Sequence, residues 1–99
     1  MSQQIVAMSC WSKGGKGEYP VRFVVIDRGT KAPHRYTRCM QVNDGEHKDY
    51  FIYAHHHHLL PDALADAQEA VRENQKDFSP SNISHIPAWP TGESIRIVK

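Results

Sequence analysis

Four consecutive histidines, His55-His56-His57-His58, are the residues of this chain best suited to chemistry. An imidazole changes charge near neutral pH and ligates zinc, nickel or copper through a ring nitrogen. Side chains alternate along an extended strand, so His55 and His57 share one face and His56 and His58 the other. His55 and His57 are therefore the candidate metal pair, with zinc as the implied ion. A tight zinc site needs three or four ligands. His34, His47, His85, Cys10 and Cys39 are the available completions, and none stands at a diagnostic spacing from the run. The plainer reading is a polar strand end that leads into a helix.

Known histidine chemistries do not fit the pattern. Nucleases with two histidines around a hydrophobe need an apolar residue between them and a tyrosine on the next helix. Here His56 occupies the middle position, and residues 61–78 contain no tyrosine. The histidine-triad pattern also fails, since no bulky apolar residues separate the imidazoles. Lys13-Gly14-Gly15-Lys16-Gly17 has the glycine content of a phosphate loop, but Glu18-Tyr19-Pro20 leads into a strand, whereas phosphate binding needs a helix start. Cys10 and Cys39 fall within strand patterns, where cysteine acts as a small apolar filler.

Charge is more informative in its distribution than in its sum of +1. Residues 1–60 carry eight Lys/Arg against five Asp/Glu, residues 61–78 two against five, and residues 79–99 two against one. Arg28, Lys31, Arg35 and Arg38 form the densest basic stretch, and His34, Tyr36 and Arg38 share a face of one strand pattern. A cation–aromatic strip of that kind can track a nucleic-acid backbone. The acidic segment supplies Asp62, Asp66, Glu69 and Glu73 as a solvated face.

The elements that position these groups follow from periodicity. Ile5–Trp11 reads as a covered strand, Ser12–Glu18 as a polar loop, and Val21–Asp27 as the best strand, rich in β-branched residues. His34–Val42 and Lys48–His56 are two more strands, joined by the hairpin signal Asn43-Asp44-Gly45. Strict alternation places Phe51 and Tyr53 on one face of the last strand and Tyr50, Ile52 and Ala54 on the other. Pro61–Phe78 reads as a helix, with Pro61 in its first turn and a stripe of Leu60, Leu64, Ala67, Val71 and Phe78 widened by Ala63 and Ala70. Ser79-Pro80 ends it. The tail holds Ile83, Ile86 and Trp89, then a short strand at Ile95–Val98.

The expected fold is α+β: one domain over residues 1–99, with an antiparallel four- to five-stranded meander packed against one amphipathic helix. The chain has 99 residues, enough for one core. It has no apolar run that could cross a bilayer, no secretory leader and only two cysteines, so a cytoplasmic protein is expected. The expected function is a non-enzymatic protein-binding module. Small single-domain proteins of this composition are common among phage and mobile-element inhibitors of host machines, the anti-CRISPR type included, which is an analogy of size and composition alone. On this reading the acidic helix face meets a basic groove of a protein or nucleoprotein partner. Lys13, Lys16, Arg28, Lys31, Arg35 and Arg38 then supply a second contact. The alternatives are a zinc protein organised by His55 and His57, and a nucleic-acid module using strand 34–38. An unpaired edge strand offers a route to a homodimer.

Overall fold

A computed structural model describes residues 3–11, 20–43, 50–74 and 95–98. Five strands and one helix follow in the order β1 Gln4–Ser9, β2 Val21–Asp27, β3 Tyr36–Val42, β4 Tyr50–His57, α1 Leu60–Glu73 and β5 Ile95–Ile97. The strands form one antiparallel sheet in the order β4-β3-β2-β1-β5, with α1 packed on one face. This is the expected α+β meander, with β5 added beside β1. No helix among the described residues is long and apolar enough to cross a membrane. Lys13, Lys16, the Asp44-Gly45 turn, His47, the last turn expected of the helix, Ser79-Pro80, Ile83, His85, Ile86 and Trp89 lie outside the described residues.

Alternation along β2 sorts its residues between two buried layers. Phe23 and Val25 point at the helix, while Val24 and Ile26 point away and pack with Cys39, Ile5, Met8 and Phe51. The helix meets the sheet through Ala63, Ala67, Ala70 and Val71, which cover Ala7, Val25 and Phe23. Small side chains at those helix positions let the two backbones approach closely. Leu60 and Leu64 flank the contact and stay partly exposed.

The helix starts one residue earlier than its pattern suggests, with Leu59 as an extended cap and Pro61 in the first turn. Within the described residues it closes at Glu73, with Asn74 as its cap. There the Asn74 side chain donates to the Ala70 carbonyl at 2.8 Å and its backbone N–H to Val71 at 2.9 Å. An asparagine that satisfies a terminal carbonyl competes with continued helix.

Strand β1 stops at Ser9, short of Trp11. Ser9 Oγ accepts the Phe23 N–H at 2.8 Å and donates to the Cys10 carbonyl at 2.9 Å, so a side chain replaces a ladder bond there. Trp11 is buried beneath Arg22, whose guanidinium lies 4.6 Å from the ring centre. Strand β3 begins at Tyr36 because residues 28–35 form a wide connection. In it Asp27 accepts the Gly29 N–H and two bonds from Arg35, and Gly29 takes a φ of 99° that disfavours any side chain. Cys10 and Cys39 are both buried, and burial raises the Cys39 thiol to about 11, the inert filler role expected of them.

Candidate functional site

His55, His56 and His57 lie on β4, at an edge of the sheet formed by the described strands, with His58 just beyond it, and their geometry depends on one irregularity. Arg38 pairs with His55 but Cys39 pairs with Tyr53, so Ala54 is an extra residue in the β3–β4 ladder. Such a bulge breaks the two-residue alternation. Strict alternation would put His55 and His57 on the Phe51 face; the bulge turns them toward α1. Their mutual pairing survives, since both lie beyond the bulge.

On the helix side they meet Asp66. His55 Nδ1 and His57 Nε2 each lie 2.8 Å from Asp66 Oδ2, and Arg38 Nε donates to Asp66 Oδ1 at 3.1 Å. Arg38 Nη2 also lies 2.9 Å from His55 Nδ1. One ring nitrogen cannot donate to the carboxylate and accept from the guanidinium at once. Asp66 is the only acceptor of the two neighbours, so His55 carries its proton on Nδ1 and the guanidinium merely sits beside it. Arg38 is buried and also stacks over Phe23, with 5.1 Å from its guanidinium carbon to the ring centre.

Burial disfavours the charge on Asp66. Hydrogen bonds from His57 and His55, with the Arg38 charge, more than offset that, and its carboxyl sits below the ordinary value. The carboxylate is thus held ionised by three donors from two strands.

Three expectations change at this cluster. Asp66 does not belong to the solvated helix face. It follows Ala63 by three residues and precedes Ala70 by four, so it stands on the rim of the buried stripe and reaches under the helix. Arg38 is not an exposed strand cation, because α1 covers its face. His55 and His57 are turned to a carboxylate already neutralised by a guanidinium, which repels a divalent ion from the same spot. Among the described residues no three His, Cys, Asp or Glu side chains form a ready metal-ligand set.

The remaining predicted contact residues are scattered. Asp62, Glu69 and Glu73 are exposed on the outer helix face, and Glu69 pairs with Arg72 at 3.2 Å. Lys31 is exposed, Arg28 is half-buried, and Arg35 is held by Asp27 at 2.9 Å. The strip proposed for nucleic acid is broken up: His34 is exposed in the connection, Tyr36 packs toward Ala7 and Val25, and Arg38 is buried.

His56 and His58 face the opposite side. His56 Nδ1 lies 3.0 Å from the hydroxyl of the fully buried Thr37. The His34 ring lies 5.6 Å from that of His56 and 4.7 Å from that of His58, centre to centre. No sequence spacing signals that His34 joins His56 and His58, because the β2–β3 connection brings it there.

Chemically, a carboxylate that fixes the Nδ1 proton of an imidazole leaves Nε2 basic and outward, as in the orienting half of a hydrolytic triad. Side-chain exposure is 59% for His55 and 24% for His57, so His55 is the accessible base. Among the described residues no hydroxyl or thiol contacts it, and the nearby Thr37 serves His56 instead. The arrangement fastens helix to sheet.

Deleting Ala54 offers a test of the bulge. Removal leaves Tyr53 followed directly by His55, which restores regular alternation with Cys39 and Arg38 and keeps both histidines on Asp66. The deletion is expected to cost no more than about 1 kcal/mol in urea denaturation. A loss comparable to that of removing Asp66 would show that the bulge itself holds the cluster.

No protein-family model, curated protein or solved structure matches this chain.

Proposed function

We propose that this protein is a non-enzymatic binding module that takes up an extended segment of a protein partner along the outer edge of β4. The supporting observation is the shape of the two sheet edges. Strand β5 offers three residues, whereas β4 offers eight, and among the described residues nothing pairs with its outer side. An edge of that length, left open by the described residues, is a template for strand addition, with backbone bonds supplying affinity and flanking side chains specificity. Ile52 on β4 is 44% exposed and Leu59 just beyond it 60%, which gives the edge two apolar contacts. The finer form of this reading, an inhibitor of a host macromolecular machine carried by a phage or mobile element, rests on size and composition alone.

A lysine pointing from an edge strand blocks such pairing. Ile52→Lys should therefore abolish capture of the partner from a lysate of the source cells. The double reversal Asp62→Lys/Glu73→Lys on the outer helix face should retain it, and β4 amides should gain hydrogen-exchange protection in the complex. Loss with the helix variant and not with Ile52→Lys would move the binding surface to α1. A sedimentation profile showing a β4-dependent dimer and no captured protein would replace the partner by a second copy of the chain.

A further inference from the structure

We propose that His34, His56 and His58 form a three-imidazole site for a divalent late transition metal, with zinc as the chief candidate. The site is separate from the β4 edge reading and uses the face of the sheet away from α1.

Three observations carry the assignment. First, the ring separations suit a shared ion. With zinc–nitrogen bonds of about 2.0–2.1 Å, ring centres in one tetrahedral sphere stand roughly 5 Å apart. His34 lies 4.7 Å from His58 and 5.6 Å from His56. Second, His56 is oriented as a metal-ligating imidazole is, with one nitrogen committed to a fixed partner. Its Nδ1 is held by the Thr37 hydroxyl at 3.0 Å, and Thr37 is fully buried in β3. That anchoring directs Nε2 outward, and when Nδ1 donates to the hydroxyl, which can accept, Nε2 is left free to ligate. Third, the bulge has already divided the run. His55 and His57 are occupied with Asp66 and Arg38, and the guanidinium that repels a cation is on their side of the sheet.

As the side chains stand, these three are not disposed as a metal-ligand set, and neither is any other trio of His, Cys, Asp or Glu among the described residues. His34 and His58 are exposed and carry no such anchor, so rotation of their side chains toward the fixed His56 closes the sphere when the ion arrives. Imidazole-only coordination suits zinc, copper and nickel and leaves a fourth position for water or a partner's side chain.

The decisive residue is His34, because it stands far from the run in sequence. Four adjacent histidines bind metal weakly as a peptide does, and such binding is indifferent to His34. Tag-free protein, purified without nickel resin, should bind zinc chloride one to one in calorimetry. Cobalt(II) should give the intense visible absorption of a four-coordinate site. His34→Ala should weaken zinc at least about tenfold, the scale seen when metal-site residues are lost. His55→Gln should stay within about twofold of the parent, and circular dichroism should show both variants folded. Equal affinity of His34→Ala and the parent would overturn the site, as would equal losses in both variants or the absence of one-to-one binding.

Discussion

Asp66→Ala is expected to destabilise the protein by about 2–4 kcal/mol, the scale for removing one partner of a largely buried ion pair. Side-chain exposure is 10% for Arg38 and 15% for Asp66, so the guanidinium left behind has little access to water. His57 and His55 lose their acceptor in the same step. The double variant Arg38→Met/Asp66→Leu removes both charges and fills the space with apolar atoms. It should therefore cost less than Asp66→Ala alone. Urea denaturation of the parent, the single variants and the double variant measures the coupling; simple additivity would show that the pair contributes nothing of its own.

The same carboxylate governs acid stability. Its folded value is lowered, so the unfolded chain takes up a proton first as pH falls. The stabilisation is complete above the ordinary carboxylate value of about 3.9 and is lost as pH falls from there through the lower folded value. Asp27 behaves alike, because the Arg35 hydrogen bond lowers its carboxyl despite partial desolvation. Asp66→Ala should accordingly flatten the acid limb without abolishing it, and the limb should flatten further when Asp27 is replaced as well. An unchanged limb in Asp66→Ala would mean that other carboxylates set it.

Ala67→Leu is the second large effect. Ala67 and Ala63 have no exposed surface, and they press on Ala7 and Val25, which have none either. The added carbons have no space, and overpacking of this kind costs about 1–3 kcal/mol. The strain also lifts α1 and so draws Asp66 away from Arg38, which places the expected loss at the upper end. Ala65→Leu, two residues away on the exposed side, should stay within about 0.5 kcal/mol. Equal melting temperatures for the two variants would refute close seating of the helix.

Much of this architecture is local and therefore readable from residue order. Val21–Asp27 alternates β-branched residues and forms β2 with the expected bounds. Ala67 and Val71 of the expected stripe, with Ala63 and Ala70 beside them, recur at helical spacing and are buried, while Leu60 and Leu64 lie at the margin of the contact. The division of the histidines, His55 with His57 and His56 with His58, follows from residue order, since alternation is a property of extended backbone. Asp66 was legible in principle from its place between Ala63 and Ala70. Its charge alone points to the outer face, because charge does not register the stripe it borders.

What pairing and packing decided is of a different kind. The face taken by His55 and His57 depends on the β3–β4 register, and a single extra residue at Ala54 reverses it. Arg38 and Asp66, 28 residues apart, meet only because α1 lies across β3. His34 joins His56 and His58 through the shape of the β2–β3 connection. Period and propensity are fixed by covalent geometry and neighbours in the chain, so the sequence alone determined the strands, the helix and the split of the histidine run. The register, the bulge and the contacts across the sheet minimise free energy over the whole chain, and the tertiary structure alone assigned one histidine pair to a carboxylate and the other to His34.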